Sequence, residues 1–284
     1  MDVKAACVIG WPIEHSRSPL IHGYWIRQLG LEAEYRREAV PPDRFADFVA
    51  HLAEHGYVGA NVTVPHKEAA LALSAPDALA AAVGAANTLW RDGGVLRSTN
   101  TDVEGFVASL DAGAPDWASH VERAVVLGAG GGARAIVFGL IERGVRHIHV
   151  VNRSLDRATA MQQRFGDRVL PCGWDQRNDV LGAAGLLVNT TTLGMAGQPP
   201  LEIELTPLPP AAIVADIVYA PLVTPLLEAA GARGLRTVDG LGMLLHQAVG
   251  AFARFFGVRP QVTRGLRTLV EADLIRATTL RTRP

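Results

Sequence analysis

Four polar runs recur where apolar stretches of the chain end: Ser16-Arg17-Ser18-Pro19, Asn61-Val62-Thr63-Val64-Pro65-His66-Lys67, Asn87-Thr88 and Asn100-Thr101-Asp102. Their hydroxyls and amides are the groups that hold a polyhydroxylated small molecule. Lys67 and Asp102 add an acid/base pair. Taken singly, each residue has a plainer reading, with Ser18 before Pro19 as a helix cap and Asn and Thr as turn residues. Recurrence at successive strand ends favours a site, because open α/β sheets bind ligands there.

A second constellation is denser. Ala124-Val125-Val126-Leu127 leads into Gly128-Ala129-Gly130-Gly131-Gly132-Ala133, which reads as strand, glycine turn and helix. It fits the GxGxxG/A pattern of dinucleotide sites. Gly128 permits the tight turn, Gly130 lets backbone N–H groups approach a pyrophosphate, and the small Ala133 lets helix and strand pack closely. A glycine turn that serves packing alone is the plainer alternative. The next strand ends in Asn152-Arg153-Ser154, with Arg157 one helical turn on. An NAD site usually carries a carboxylate at that strand end. Two guanidiniums and a hydroxyl suit a 2′-phosphate, so NADP is the expected cofactor. Solvated surface arginines are the alternative, and Asp156 could pair with either one.

Other candidates carry less. His51 and His55 lie four apart without HExxH, and His147-x-His149 has no third ligand, so no metal is expected. Ser16 and Ser18 lack a GxSxG elbow, and Cys7 reads as a small buried hydrophobe.

The elements that must position these groups alternate. In the first part, strands are expected at Lys4–Ile9, Glu34–Val40 and Val58–Val64, with helices at Leu20–Leu29 and Asp43–Glu54 and a short one opening at Pro65. Asn87–Trp90 and Val95–Arg97 flank the hairpin signal Asp92-Gly93-Gly94. A helix is expected from Val103 to Leu110, then strands at Ala124–Leu127, His147–Val151, Leu186–Asn189 and Ile213–Val218. Helices are expected at Gly131–Arg143, Ser154–Phe165, Leu241–Phe256 and Val262–Ile275. The proline-rich Gln198–Pro210 reads as an ordered loop. Such alternation implies a mainly parallel sheet with helices around it. A boundary falls near residues 106–120, punctuated by Gly113 and Pro115.

The whole chain has 284 residues, 49% hydrophobic and 19% charged, with 27 Lys and Arg against 28 Asp and Glu. That is a globular composition without the positive excess that points to nucleic acid. Apolar runs are interrupted by Arg134, or by Asp216 and Pro221, so no membrane span is expected. Two cysteines, Cys7 and Cys172, make no disulfide framework. A cytoplasmic location is the simplest expectation.

Together these motifs resemble the NADP-dependent shikimate dehydrogenases of the shikimate/quinate dehydrogenase family. The likeness is carried by Gly10–Pro19, Asn61–Lys67, Gly84–Thr88, Asn100–Asp102, Gly128–Gly132, Asn152–Ser154, Asn189–Met195, Asp216–Tyr219 and Asp239–Met243, in family order. Gly132 and Ala86 stand where the family usually has Ala and Val. The resemblance implies a two-domain α/β fold. An N-terminal open α/β substrate domain would span 1–106. A Rossmann-like NADP-binding domain would span 107–239, and C-terminal helices (240–284) would return to the first domain. It implies Lys67 and Asp102 as the catalytic pair. Ser16, Ser18, Thr63, Lys67, Asn87, Asp102, Tyr219 and Gln247 would contact substrate. Gly128, Ala129, Gly130, Gly131, Gly132, Asn152, Arg153, Ser154, Arg157, Thr190, Thr191, Ile217, Gly240 and Met243 would contact NADP(H). The implied activity is reversible reduction of 3-dehydroshikimate to shikimate, in aromatic amino-acid and chorismate biosynthesis. Partners would be small molecules, with no nucleic acid and no membrane, and the protein a monomer or homodimer. Two alternatives stand beside it: a paralogue acting on quinate or an aminoshikimate, and a non-catalytic NADP-binding sensor.

Overall fold

A computed structural model describes residues 3–281. By its internal contacts the chain divides into two units. One runs up to Asp102 and adds Leu245–Val270; the other comprises Val103–Leu244 and the residues from Glu271 on.

The first unit contains β1 (Lys4–Gly10), α1 (Ser18–Gln28), β2 (Ala33–Ala39), α2 (Phe45–Ala50), β3 (Tyr57–Val62), α3 (Lys67–Ala72), β4 (Ala75–Pro76), α4 (Ala78–Val83), β5 (Thr88–Asp92) and β6 (Val95–Thr99). The strand order is β2-β1-β3-β5-β6-β4. β1 pairs in parallel with β2 and β3, whereas β5 runs antiparallel to both β3 and β6. Five of the six strands therefore run the same way, so the sheet is mainly parallel, with β5 alone reversed. The hairpin is the cause: Gly93 and Gly94 both take positive φ, the conformation a two-residue type I′ turn requires. β1 is apolar almost throughout and buried after Lys4, as a central strand covered on both faces must be.

The segment expected as one helix over 43–54 is shorter. A 3-10 turn at Pro42–Arg44 precedes α2, which stops at Ala50. There the His51 ring and backbone N–H both meet the Asp47 carbonyl. The helix expected to open at Pro65 starts instead at Lys67, after a turn in which His66 N–H donates to the Thr63 carbonyl.

The second unit begins one residue into α5 (Asp102–Gly113) and includes α6 (Trp117–His120). It continues with β7 (Arg123–Leu127), α7 (Gly131–Glu142), β8 (His147–Asn152), α8 (Leu155–Phe165), β9 (Val169–Gly173), β10 (Leu186–Asn189), β11 (Ile213–Asp216), α9 (Pro225–Ala232) and β12 (Arg236–Val238). Its sheet order, β12-β11-β10-β7-β8-β9, is parallel throughout. That is the doubly wound Rossmann order, with its switch point between β7 and β10. Leu201, Leu205 and Leu208 of the proline-rich loop are buried against β10 and β11 residues, which is why that loop is ordered.

α10 (Gly240–Phe256) and α11 (Arg264–Arg281) complete the described chain. In the first unit the far end of α10 lies over β3. A Cβ on Gly59 would come within 2.5 Å of the Phe255 ring. His22, Trp25, Tyr35, Phe252 and Phe255 form one aromatic cluster joining α1, β2 and α10. No helix among the described residues is long and apolar enough to cross a membrane.

Candidate active site

β3 and β6 end, and the antiparallel β5 begins, at the same edge of the first sheet, with Asn61 opposite Thr88 and Thr88 opposite Thr99. The polar runs at these ends therefore converge. Asn87 stands just before β5 rather than inside a strand.

Each key side chain has a local reason for its place. His66 is buried, stacks on Phe45 at 4.3 Å and sets Nε2 2.7 Å from the Val40 carbonyl. It thereby anchors the residue before Lys67. Burial lowers its pKa from the ordinary histidine value. On the facing loop, Asn100 Oδ1 accepts from the Asp102 N–H at 3.0 Å, and Asn100 Nδ2 donates to the Ala85 carbonyl at 2.8 Å. Asp102 opens α5, where the helix dipole favours a carboxylate.

The two ends meet in an ion pair. Lys67 Nζ lies 2.6 Å from Asp102 Oδ2, with side chains 15% and 6% exposed. Asp102 Oδ1 accepts from Asn87 Nδ2 at 2.9 Å. The Asn87 amide is oriented in turn, because its Oδ1 accepts from Thr101 N–H at 2.8 Å and Thr88 Oγ1 at 3.0 Å. Gln247 Oε1, on α10, is 3.5 Å from both Asn87 Nδ2 and Thr101 Oγ1. Farther in, Tyr35 donates to Asn61 Oδ1 at 2.6 Å, and Asn61 Nδ2 donates to Thr88 Oγ1 at 3.1 Å. Burial pushes the Tyr35 phenol well above its ordinary value, so it stays a donor.

Ser18 is the first residue of α1, and Arg17 is the cap, so Ser18 is not the N-cap. The Ser16 hydroxyl accepts from Ser18 N–H at 3.3 Å. Arg37 grips the Ser16 carbonyl through Nε and Nη2 at 3.0 and 2.7 Å. Thr63 follows β3 and donates its N–H to the Ile9 carbonyl at 2.9 Å.

In the second unit, Gly128 has φ +108°, and a Cβ there would lie 2.6 Å from Thr190 Oγ1. Only glycine fits that turn. Thr190 itself donates to the Leu127 carbonyl at 2.6 Å, so Thr190 and Thr191 border the glycine loop at the switch point. Gly130 caps α7, and a Cβ on it would meet no protein atom within 4 Å. The backbone at a helix N-terminus is thus bare to an approaching anion. Ala133 is buried in the core under the turn. β8 ends at Asn152, whose Nδ2 donates to the Ser154 carbonyl at 2.9 Å, and Arg153, Ser154 and Arg157 are exposed. These features fit a dinucleotide phosphate and a 2′-phosphate.

Ile217 and Gly240 meet: a Cβ on Gly240 would come 2.5 Å from the Ile217 backbone. Met243 is buried in the core cluster, with Ile217 at its margin. Tyr219 stands beyond β11, in this second unit.

Other candidates lie away from these sites. Cys7 is buried in the core, His51 is exposed beside Asp47, and His55 stacks on Phe48. Among the described residues no group of three His, Cys, Asp or Glu could hold a metal. Asn61, Thr88 and Thr101 belong to the polar runs legible in the sequence but take no individual role there, and Asn189 and Asp216 bear on the site only within the motifs of the resemblance. Tyr35 and Thr224 carried no signal.

A mixed sheet whose polar edge holds a Lys–Asp pair, in one chain with a parallel sheet in dinucleotide-binding order, defines a nicotinamide-dependent oxidoreductase of the two-domain α/β class. Family models match along the chain: the shikimate dehydrogenase substrate binding domain over residues 8–89, shikimate/quinate 5-dehydrogenase over 111–194, and the shikimate 5′-dehydrogenase C-terminal domain over 240–269. Shikimate dehydrogenase (NADP(+)) of Rhodopseudomonas palustris strain TIE-1 is 64% identical over 95% of this chain and 97% of its own. The chain belongs to the shikimate dehydrogenase family. Shikimate 5-dehydrogenase from Thermus thermophilus, solved with NADP(H) and shikimate, superposes with a TM-score of 0.82 at 34% identity, covering 96% of this chain and 99% of that one. Quinate dehydrogenase from Corynebacterium glutamicum, solved with NAD, gives 0.83 at 32% identity, covering 96% and 100%.

Proposed function

We propose that the chain reversibly reduces 3-dehydroshikimate to shikimate with NADPH, and that Lys67 and Asp102 are its catalytic pair. The observation that carries this is the 2.6 Å contact between Lys67 and Asp102, held at the polar sheet edge by Asn87. The nicotinamide supplies or accepts the hydride, and the protein supplies orientation and proton management.

Reduction turns a ring ketone into an alkoxide, which must take up one proton. The Lys67 ammonium neutralises that developing charge at the reacting oxygen, and Asp102 fixes the direction in which it points. Ser16, Ser18, Thr63, Asn87, Tyr219 and Gln247 hold the remaining hydroxyls and the carboxylate. Gly128–Gly132 take the pyrophosphate at the N-terminus of α7. Asn152, Arg153, Ser154 and Arg157 take the 2′-phosphate, which Arg suits through charge-assisted paired bonds. Thr190, Thr191, Ile217, Gly240 and Met243 complete the dinucleotide contacts. Residues 1–106, with 240–284, are the substrate domain on this reading, and 107–239 the NADP domain. The protein works in the cytoplasm as a monomer or homodimer.

Steady-state assays with shikimate and quinate, each with NADP+ and NAD+, test the assignment. The expected result is a kcat/KM for shikimate with NADP+ at least tenfold above every other combination. A preference for quinate with NAD+ overturns it in favour of the quinate paralogue. No turnover with any pair overturns it in favour of a binding protein.

A further inference from the structure

Asp216 is a buried carboxylate that the proposed chemistry does not use. It ends β11 at 2% exposure. Burial pushes its carboxyl up to about 6, against the opposing effect of hydrogen bonds from Val218, Thr224 and Asn189. A carboxylate in such a place is costly unless its acceptors are filled. Oδ1 accepts from Val218 N–H and from Asn189 Nδ2, both at 3.0 Å, and Oδ2 accepts from Thr224 Oγ1 at 2.8 Å.

Each donor fixes a different segment at the carboxyl end of the parallel sheet. Val218 lies between Ile217 and Tyr219. Thr224 caps α9, accepting from Leu227 N–H at 3.3 Å. Asn189 passes the constraint on: its Oδ1 accepts from Thr191 N–H at 3.0 Å and Thr191 Oγ1 at 2.7 Å, and its Nδ2 also reaches the Leu193 carbonyl at 3.2 Å. Through Asn189, Asp216 thus governs the loop whose Thr190 abuts the Gly128 turn.

These segments all lie on the β10–β11 side of the switch point, whereas Asn152–Arg157 follow β8 on the other side. A dinucleotide with its 2′-phosphate at the end of β8 lays its second half over β10 and β11. We propose that Asp216 is a positioning residue for the nicotinamide half of the cofactor, holding Thr190–Leu193 and Ile217–Tyr219 in place without touching the cofactor. This rests on the dinucleotide assignment above.

The test separates the two halves of the cofactor. Adenosine 2′,5′-bisphosphate probes the β8 side alone, and kcat with saturating shikimate and NADP+ reads the nicotinamide side. Parent, Asp216→Ala, Asp216→Asn and Asn189→Ala are compared, with Val145→Ala as a core-destabilised control from the same unit. The bisphosphate Kd should stay within twofold of the parent in every variant. In Asp216→Ala and Asn189→Ala, kcat should fall at least fivefold. Asp216→Asn should fall less, because its Oδ1 still accepts from Val218 and Asn189. If Asp216→Ala does not fold, Asn189→Ala decides alone, since it cuts only the link to the Thr190–Leu193 loop. A loss of kcat below fivefold overturns the proposal. So does a rise in the bisphosphate Kd that tracks the fall in kcat, or an equal fall in kcat for Val145→Ala. A parent that neither binds the bisphosphate nor reduces NADP+ overturns the dinucleotide assignment, and this inference with it.

Discussion

Asn87 and Lys67 hold opposite oxygens of one carboxylate: Asn87 Nδ2 lies 2.9 Å from Asp102 Oδ1, and Lys67 Nζ lies 2.6 Å from Asp102 Oδ2. With both oxygens engaged, the carboxylate has little freedom to rotate. Asn87 is itself fixed by the Thr101 N–H and the Thr88 hydroxyl, so the orientation of the ammonium traces back to these two donors at the sheet edge. Such layered support is what keeps an acid/base group within reach of one substrate atom.

Substrate affinity should depend on the Ser16 and Ser18 hydroxyls. Ser16→Ala/Ser18→Ala removes the Ser16 hydroxyl's bond from Ser18 N–H but keeps the Arg37 grip on the Ser16 carbonyl, which holds the loop. Hydrogen bonds to charged groups contribute about 1.5–3 kcal/mol each. The double variant should raise KM for shikimate about tenfold or more, with KM for NADP+ unchanged. A shift confined to NADP+ would place both serines wrongly.

Cofactor choice should follow Arg153 and Arg157. Both are exposed in the loop and first turn after β8, and that strand end carries Asn152 rather than a carboxylate. Arg153→Ser should weaken NADP+ by about tenfold and leave NAD+ nearly unchanged. Adding Arg157→Ser should cost more, though less than additively if the two share one phosphate. Measured kcat/KM for both cofactors decides it. An equal loss for NAD+ and NADP+ contradicts the 2′-phosphate role.

The glycine turn gives a sharper structural expectation. Gly128→Ala puts a side chain at φ +108° and 2.6 Å from Thr190 Oγ1. Backbone strain of this kind costs about 1–3 kcal/mol, and the contact adds to it. Thermal unfolding should show the loss of stability, and NADP+ binding by titration should weaken at the same time. A variant with parental Tm and Kd would show that the turn relaxes freely.

How much of this was legible in the sequence depends on how far away each partner lies. The strand-turn-helix of 123–142 is local, and the Gly128 and Gly130 positions followed from its pattern. So did the Asp92–Val95 hairpin. That β5 also pairs antiparallel with β3 has no local signal, because that pairing joins residues 27 or more apart in sequence. β4, with two residues, and β12, with three, are too short for a periodic signal. Lys67 and Asp102 were readable as chemistry, being charges among amides and hydroxyls. Tyr35 and Thr224 were not, since one polar residue in a strand or loop has no pattern until its distant partner is known.

Stability in acid should report His22. It is fully buried, and neither ring nitrogen has a hydrogen-bond partner among the described residues. It stacks on Tyr35 at 3.9 Å, and burial lowers its pKa from 6.5 to about 3. The folded value lies below the unfolded one, so between these pH values the unfolded chain binds the extra proton. Stability from this group is full above pH 6.5 and falls as the pH drops toward 3, by up to about 1.4 kcal/mol per pH unit. His22→Phe should flatten that part of the profile. Urea midpoints from pH 7 to 4 that run parallel in parent and variant would contradict it.

The most direct measurement concerns Lys67. Lys67→Ala leaves His66 anchored to Val40 and Phe45, so α3 should still form, and circular dichroism with thermal unfolding verifies that it does. Loss of a positioned acid/base group typically slows a reaction about 10²–10⁴-fold. The rate to follow is kcat for shikimate oxidation at saturating NADP+, in parent and folded Lys67→Ala. A fall of about a hundredfold or more is the predicted result. A folded variant whose kcat stays within about threefold of the parent, far short of that loss, would contradict the assignment of Lys67 and Asp102 as the catalytic pair.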